Sequence, residues 1–159
     1  MNVRIGTWRD ASTVHALRME LERQGSEQTG IPTDYSEDAI ARSYAETLHW
    51  FYDAQKLVLV AVDDDDKIQG YTLLQEQLYV GRYHGISFPG TIVRESAKRS
   101  SAFLRLGNAV YRLLKRYRVP CVQVCVNLNH PKMINFYRKL GFHPVAMVLH
   151  RNIDRKSVV

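Results

Sequence analysis

The sequence predicts a mixed α/β domain in which helices flank a mostly antiparallel sheet, with the element order β-α-α-β-β-β-α-β-α-β. Two apolar stretches, Leu57–Val62 and Ile68–Val80, are separated by a short polar turn, which is typical of a β-hairpin. A third stretch, Val122–Asn127, lies between two segments whose apolar residues recur at helical spacing. Hairpin-paired strands followed by strand–helix–strand units predict a sheet that is antiparallel in part and parallel in part.

The N-terminal third of the chain predicts one strand and two helices. A strand at Val3–Thr7 precedes a helix that extends to about Gln24. After a polar loop at Gly25–Asp34, a second helix fits Ser36–Ala54, with Ser36 as its N-cap. The side chains that we expect on the inner side of the first helix are Val14, Leu17, Arg18 and Leu21, and the second helix has an apolar stripe of Ile40, Tyr44, Leu48 and Phe51.

The central part of the chain predicts three strands. Leu57–Val62 is apolar throughout, so we expect both of its faces to be covered. The aspartates Asp63–Asp66 form a solvated turn, and because they lack the alternation of a calcium loop, we predict no metal there. Gly81–Gly90 is predicted to be a connection, or a wall of a substrate pocket. The fourth strand covers Thr91–Arg94 and begins as early as Ile86.

The C-terminal part predicts a long helix, a strand–helix unit and a last strand. Leu104–Arg118 fits a helix that ends before Pro120. Val145–His150 fits the last strand and residues 154–159 fit a loose tail, so residues 1–153 form the single predicted domain. The predicted apolar side of the long helix consists of Leu106, Val110, Leu113, Leu114 and Tyr117.

Composition narrows the class of protein. The 159 residues are 45% apolar and 24% charged, as in an ordinary globular chain. The sequence has neither a signal-peptide pattern nor an apolar run of membrane-spanning length, so we expect a cytoplasmic protein without a membrane partner. Cys121 and Cys125 are separated by roughly 13 Å if both lie on one strand, and we therefore predict two buried thiols and no disulfide between them.

The formal net charge is +6, and much of the excess lies in one segment. Such a segment favours polyanions, including phosphorylated cofactors and nucleic acid. A solvated helix face also explains most of these residues. The segment holds no acidic residue, and its basic residues are Lys98, Arg99, Arg105, Arg112, Lys115, Arg116 and Arg118.

The segment Val122–Phe142 carries the clearest pattern. Three valines alternate with polar residues and cysteine in a strand, and Pro131 suits the first turn of the helix that follows. Gly141 is placed for the left-handed residue that ends a helix, with Phe142 folding back onto that helix. The apolar face of the helix consists of Met133, Phe136, Tyr137 and Leu140.

Asn127 and the run N-F-Y-R-K-L-G-F at Asn135–Phe142 resemble the C-terminal motif of the GNAT acyltransferase superfamily. That motif is an asparagine after a strand, followed by a helix that ends in F-Y-x-x-L-G-F. The predicted order of elements is also that of the GNAT fold, so the resemblance extends across most of the chain. It implies an N-acyltransferase that moves an acetyl group from acetyl-CoA, as co-substrate, to a primary amine by direct attack.

The resemblance also implies where acetyl-CoA binds. In the family the fourth and fifth strands splay apart, the pantetheine arm pairs with the fourth strand, and the pyrophosphate meets the turn that follows. That turn is usually Arg/Gln-x-x-Gly-x-Gly/Ala, whereas here Lys98, Ser101 and Phe103 occupy the marked positions. Lysine, arginine and serine side chains can supply charge and hydroxyl groups in place of the glycines. The implied cofactor-binding residues are Ile92, Val93, Arg94, Lys98, Arg99, Ser100, Ser101, Asn127 and Tyr137.

Tyr137 matches the family position whose hydroxyl protonates the departing CoA thiolate, although its place on the apolar stripe also fits a core side chain. Asn127 matches a position that contacts the cofactor, and it also fits a turn-capping asparagine. A general base must accept a proton from the amine. Glu76, Glu95 and His84 lie on or near central strands and are the candidates, and no spacing chooses among them.

Other chemistries lack their motifs. The sequence contains no P-loop, nucleophile elbow, paired-histidine zinc motif or dinucleotide glycine fingerprint. Two alternatives to the transferase stay open: a GNAT-fold binding module without ordinary catalysis, with nucleic acid as a partner, and a GNAT-like enzyme that modifies a nucleic-acid-bound acceptor. For the transferase itself, the acceptor is a small-molecule or protein amine, and a homodimer is compatible with the sequence.

Overall fold

The computed structural model of the chain describes residues 1–30, 33–79, 83–94, 101–126 and 131–144. One sheet contains five strands in the spatial order β1-β2-β3-β4-β5. Strands β1 to β4 pair antiparallel and β4 pairs parallel with β5, so the predicted mixed, mostly antiparallel sheet is confirmed. The strands are β1 (Asn2–Ile5), β2 (Lys56–Val62), β3 (Ile68–Tyr79), β4 (Tyr83–Val93) and β5 (Val122–Val124).

Four helices flank the sheet in the predicted order, and a short 3₁₀ turn, Trp8–Asp10, precedes the first of them. The predicted last strand, Val145–His150, and the predicted tail lie outside the described residues. The helices are α1 (Ala11–Thr29), α2 (Glu37–His49), α3 (Ala102–Arg116) and α4 (Pro131–Lys139).

Strand β2 separates two apolar cores because its side chains alternate between the faces of the sheet. Val58, Val60 and Val62 pack with Val14 and Leu17 of α1 on one face. The opposite face of β2 contributes Leu59 and Ala61 to a second core, in which α3 buries Ala102, Leu106 and Val110. The prediction that both faces of this strand are covered is confirmed, and α1 and α3 therefore lie on opposite faces of the sheet.

Helix α1 is longer and α2 is shorter than the sequence predicts. Helix α1 continues through Gly25 to Thr29 and ends at Gly30, whose φ of 68° is the left-handed value that favours glycine. The predicted loop beginning at Gly25 was wrong, since one glycine in a long helix costs only about 1 kcal/mol. The prediction that Leu21 faces inward was also wrong, because its side chain is exposed. Helix α2 has Ser36 as its N-cap, as predicted, and ends at His49.

Strand β4 begins at Tyr83, inside the stretch that the sequence predicts to be a loop. The strand pairs with β3 from the Tyr79–Tyr83 pair onward, so a short connection joins two long antiparallel strands. Glycines within Gly81–Gly90 weaken the local preference for a strand, and pairing along β3 outweighs that preference.

The two cysteines are free, as predicted. Cys121 is half-buried, but the prediction of a buried thiol was wrong for Cys125, which is exposed. Four aspartates at the β2–β3 turn form no metal cluster, nor do any other carboxylate, histidine or cysteine groups within the described ranges. In that part of the chain, none of the helices has both the length and the apolar content of a membrane span.

Asp10 joins β1 to the start of α1. Its carboxylate accepts two hydrogen bonds from the Arg4 guanidinium, at 2.8 and 3.0 Å, and one from the backbone N–H of Thr7 at 2.7 Å. The hydrogen bonds from Arg4 hold the pKa of the Asp10 carboxyl below its ordinary value. A carboxyl whose pKa is lowered by folding stabilises the protein above its unfolded pKa, and this contribution disappears as the pH falls through the folded pKa.

We therefore expect Asp10→Asn to lower the free energy of unfolding at pH 7 by about 1–2 kcal/mol, a value discounted because Arg4 is one-third exposed. The difference between variant and parent should shrink as the pH falls from about 4 toward 2, since the parent carboxyl then also becomes neutral. Urea unfolding at several pH values measures both effects. Asp65→Asn, at the exposed β2–β3 turn, is the matched control and should change stability little. A difference that stays constant down to pH 2 would contradict the role of the charge.

Candidate functional site

A cleft lies beside strands β4 and β5, which pair over only three residues. Ile86, Ser87 and Phe88 lie opposite Val122, Gln123 and Val124 in parallel register. Beyond Phe88, β4 continues to Val93, whereas β5 ends at Val124. The last five residues of β4 therefore have no β5 partner among the described residues, and the pairing ends at the Phe88–Val124 pair, which we call the vertex.

A bulge next to this vertex sets which backbone groups of β4 face the opening. Leu73 lies opposite Gly90 and Gln75 opposite Ser87, so two residues of β4 stand against one of β3. The Arg94 N–H donates to the Gln69 carbonyl at 2.8 Å. Because backbone groups alternate along an antiparallel pair, Ile92 faces β3 as Arg94 does, while Thr91 and Val93 direct N–H and C=O groups toward the cleft.

The walls of the cleft are mainly apolar. It has a volume of about 790 Å³ and lies on the α3 face of the sheet, between α3 and α4. Thr72 and Thr91 form part of its floor, and their hydroxyl oxygens lie 2.7 Å apart. Apolar and aromatic side chains on the helices supply most of the remaining surface, including Phe103, Leu106, Val110, Phe136, Tyr137 and Leu140.

Helix α4 places Tyr137 in the cleft. The helix ends in a Schellman motif, in which the Phe142 N–H donates to the Tyr137 carbonyl and the Gly141 N–H donates to the Arg138 carbonyl, both at 3.0 Å. Gly141 has the predicted left-handed φ, at 88°. Phe142 folds back as predicted, and its ring centroid lies 5.3 Å from that of Tyr137. The F-Y-x-x-L-G-F pattern thus fixes the end of the helix and one contact of the tyrosine ring.

The surroundings of Tyr137 keep its phenol protonated. Its ring also meets Phe136 edge to face at a centroid distance of 5.3 Å, and the side chain is half-buried. Burial raises the pKa of the Tyr137 phenol above its ordinary value, because desolvation disfavours the phenolate. At neutral pH this residue is therefore a neutral O–H donor in the wall of an apolar cleft.

Ser101 keeps the backbone conformation that a glycine would adopt. It precedes the first residue of α3 with φ 62° and ψ 13°, in the left-handed region. The sequence resemblance aligns this position with a glycine of the GNAT turn. Arg105 N–H donates to the Ser101 carbonyl at 2.9 Å, so the amides of Ala102, Phe103 and Leu104 precede the first intrahelical bond. The start of α3 thus has the local geometry that suits an anion.

Replacing Ser101 with glycine should stabilise the protein. A non-glycine residue in the left-handed region costs about 1–2 kcal/mol, and part of the gain is offset by the greater freedom of glycine in the unfolded chain. We expect Ser101→Gly to raise the free energy of unfolding by about 0.5–1 kcal/mol in urea, with an unchanged m-value. Ser43→Gly, in the interior of α2, is the control and should lower it by a similar amount. If both variants lose stability, the backbone of Ser101 is not strained.

The other predicted site residues do not all lie near the cleft. Glu76 is an exposed residue of β3 opposite Ile86, and by alternation it shares the face of the sheet on which the cleft lies. His84 lies on β4 opposite Leu78, further from the vertex. The Ile92 side chain is buried in the α1-side core, with its backbone directed to β3. The predicted residues Glu95, Lys98, Arg99, Ser100 and Asn127 lie outside the described residues.

The side chain of Arg94 is directed to a different depression. Its Nε donates to the Ile68 carbonyl at 3.0 Å, next to a polar hollow of about 570 Å³ that also contains Arg4 and Asp10. Because Arg4 and Asp10 form an ion pair with each other, this hollow offers few unpaired groups to a ligand. We therefore assign the functional site to the apolar cleft.

Sequence reasoning missed two features of the cleft. Thr91 was not among the predicted residues, although its backbone faces the opening. Tyr117 was predicted to belong to the apolar side of the long helix, but its side chain is largely exposed, as is that of Tyr111, which lines the cleft. Leu106 and Val110 do form that stripe, together with Ala102.

Comparison with known proteins identifies the fold. A tetramutant of the BH1408 protein from Bacillus halodurans superimposes with a TM-score of 0.77 at 17% identity, over 96% of this chain and 100% of that chain. The aminoglycoside antibiotic 6'-N-acetyltransferase AAC(6')-Ih from Acinetobacter baumannii gives a TM-score of 0.70 at 18% identity, over 96% and 97%. The chain therefore has the fold of GNAT acetyltransferases, and the predicted resemblance is confirmed at the level of the fold.

The fold does not by itself define the activity. A transcriptional regulator from Bacillus halodurans C-125 has a TM-score of 0.71 at 16% identity, over 96% of this chain and 99% of that chain. No protein-family profile and no curated protein matches the sequence. The cleft and its residues are therefore the basis for a functional assignment.

Proposed function

We propose that the protein is a GNAT N-acyltransferase that moves an acetyl group from a pantetheine thioester, acetyl-CoA in the simplest case, to a primary amine. The observation that carries this proposal is the cleft that Thr91 of β4 and Tyr137 of α4 both line, beside a part of β4 that has no β5 partner among the described residues. An extended amide-containing arm can pair with the Thr91 and Val93 backbone, as an added strand pairs with a sheet edge. The apolar walls exclude water from the thioester.

The residues of the cleft suit each part of the reaction. The amine nitrogen forms a bond to the thioester carbonyl carbon as the carbon–sulfur bond breaks. Backbone N–H groups of β4 beside the vertex are placed to polarise the carbonyl oxygen. Tyr137 donates its phenolic proton to the departing thiolate, and a base accepts a proton from the former ammonium group. Among the candidate bases, Glu76 lies opposite Ile86 of β4, and Ile86 in turn pairs with Val122 of β5.

The chemistry of the transfer defines the acceptor only as a class of compounds, the primary amines. A primary amine attacks in its neutral form, so carboxylates near its approach favour binding of the ammonium form before proton loss. Helices α1 and α2, on the face of the sheet opposite the cleft, are rich in such groups, and we propose that the amine approaches from that face. One protein with the same fold is an aminoglycoside antibiotic 6'-N-acetyltransferase, which makes aminoglycosides, polyamines and lysine peptides the panel to test. The acidic residues of these two helices are Glu20, Glu22, Glu27, Glu37, Asp38 and Glu46.

A second candidate function is binding of nucleic acid, with or without transfer to a bound acceptor. The exposed basic residues of α3 favour it, because phosphate contacts depend on clustered cations. Binding of nucleic acid does not require an unpaired β4 edge or the half-buried phenol of Tyr137. The transferase uses both, and is therefore the function that the cleft supports best.

Calorimetry and a turnover assay together test the proposal. We expect acetyl-CoA and CoA to bind with micromolar dissociation constants, and thiol release from acetyl-CoA to depend on an added amine. A DNA titration at two salt concentrations serves as the comparison. Absence of thioester binding and of thiol release, together with steeply salt-dependent DNA binding, would overturn the transferase in favour of the second candidate.

A further inference from the structure

We propose that the preferred donor is an acyl thioester on the phosphopantetheine arm of an acidic carrier protein, which docks on the exposed side of α3. This inference rests on the proposed function and specifies its donor. The arm and its single phosphate enter the cleft, while the carrier contacts the α3 face. We use that name for the exposed residues Leu104, Arg105, Tyr111, Arg112, Lys115, Arg116 and Arg118.

The start of α3 suits one phosphate better than the diphosphate of CoA. The chain has no glycine between Gly90 and Gly107, so a turn that wraps closely around two phosphates lacks its usual residues. Phe103, in place of the family's small residue, lines the cleft, and its ring lies 5.7 Å from that of Phe136 on α4. The amides of the first turn of α3 still point outward, which is sufficient for a phosphate monoester.

The α3 face carries positive charge that no described carboxylate balances. Arg4, Arg18 and Arg23 each form an ion pair with a nearby carboxylate. The ion pairs within the described residues include none from the cations of α3 or from Arg118. Clustered, unbalanced cations attract an acidic partner and increase its rate of association.

Apolar groups on the same face favour a protein over a nucleic acid. Leu104 and Tyr111 are 56% and 66% exposed and lie on one stripe of α3, next to the mouth of the cleft. Lys115 and Arg118 continue that stripe, while Arg105, Arg112 and Arg116 form the adjacent one. An interface that combines apolar anchors with a charged rim is typical of protein partners. The helix is roughly 22 Å long, enough to contact one helix of a small carrier.

The test compares three acetyl donors with one amine: acetyl-CoA, acetyl-pantetheine, and an acidic acyl carrier protein bearing acetyl-phosphopantetheine. We expect kcat/KM with the carrier to exceed that with acetyl-CoA at least tenfold. The double variant Arg112→Glu/Arg116→Glu should lower the ratio of carrier to acetyl-pantetheine kcat/KM at least tenfold. Neither residue lines the cleft. The control Arg23→Glu/Arg42→Glu, on the opposite layer, should leave that ratio close to the parental value, and thermal melts establish that both variants fold.

Each outcome decides between the two proposals. Turnover with acetyl-CoA that equals or exceeds turnover with the carrier overturns the donor assignment and leaves the proposed function intact. A ratio that falls equally in the control pair also overturns it, since net charge alone then explains the effect. No turnover with any of the three donors overturns the proposed function itself. DNA binding that the α3 variant abolishes, without any gain from the carrier, assigns the α3 face to nucleic acid.

Discussion

We expect Tyr137→Phe to lower kcat by about 100-fold, with a dissociation constant for CoA within about twofold of the parental value. The substitution removes only the hydroxyl that donates to the departing thiolate. The ring contacts with Phe136 and Phe142 remain, so the helix and the cleft wall should be preserved. Steady-state assays give kcat and calorimetry gives the dissociation constant.

The pH dependence provides an independent check on this role. Because burial raises the pKa of Tyr137, the phenol stays protonated above the ordinary tyrosine pKa, and the alkaline decline of kcat should begin above about pH 10. Tyr137→Phe should lack that decline. Tyr52→Phe, at a tyrosine that is 66% exposed, is the control and should keep both kcat and its pH profile. Parental turnover in Tyr137→Phe would remove this residue from the mechanism.

We expect Gly70→Ala to lower the free energy of unfolding by about 2–3 kcal/mol. A Cβ at position 70 would lie 2.5 Å from the Ile92 carbonyl oxygen and 3.1 Å from the Val93 α-carbon. These are backbone atoms of the paired strand, so relief requires β3 and β4 to separate. The displaced residues adjoin the β4 groups that face the cleft, and donor affinity should fall together with stability.

Gly25→Ala is the matched control for this substitution. Nothing lies within 4 Å of a Cβ at position 25, which is inside α1, so alanine should raise stability by about 0.5–1 kcal/mol. Urea unfolding of both variants compares the two effects directly. Equal stability of Gly70→Ala and the parent would show that the β3–β4 spacing adapts at little cost.

The elements with strong periodic patterns could be predicted from the sequence. The apolar run of β2 indicated a central strand because side chains alternate between its two covered faces. The helix ending at Gly141 was predicted together with its left-handed residue, since both depend on local chemistry within a few residues. In each case local preference and tertiary packing agree.

Elements whose limits depend on distant pairing could not be predicted in this way. Strand β4 extends back to Tyr83 because β3 pairs with it along most of its length, whereas Gly85, Pro89 and Gly90 lower the strand preference of β4 itself. Tyr111 lies on the exposed side of α3 although it is an aromatic residue at nearly helical spacing from the core positions. Aromatic character alone does not tell a core position from the border of a cleft.

The residues of the candidate site could likewise be predicted from the sequence only in part. Tyr137 could be identified from its motif, because the end of the helix fixes its position. Which residues of β4 face the cleft depends on a bulge, and one additional residue reverses the direction of every backbone group beyond it. For that reason the resemblance implied Ile92, Val93 and Arg94, whereas the pairing with β3 turns only Val93 of these to the opening, together with Thr91.

The three-residue pairing of β4 with β5 makes the two walls of the cleft unequal in local stability. Helix α3 is anchored by three buried side chains, whereas α4 has none among its nine residues. Opening of the β5–α4 unit therefore requires less free energy than opening of the β3–β4 hairpin. A donor that pairs with β4 and contacts Tyr137 connects a rigid wall to a loosely held one. Part of the binding free energy of such a donor would be used to order α4, so affinity for the donor and the order of α4 are thermodynamically linked in the proposed function.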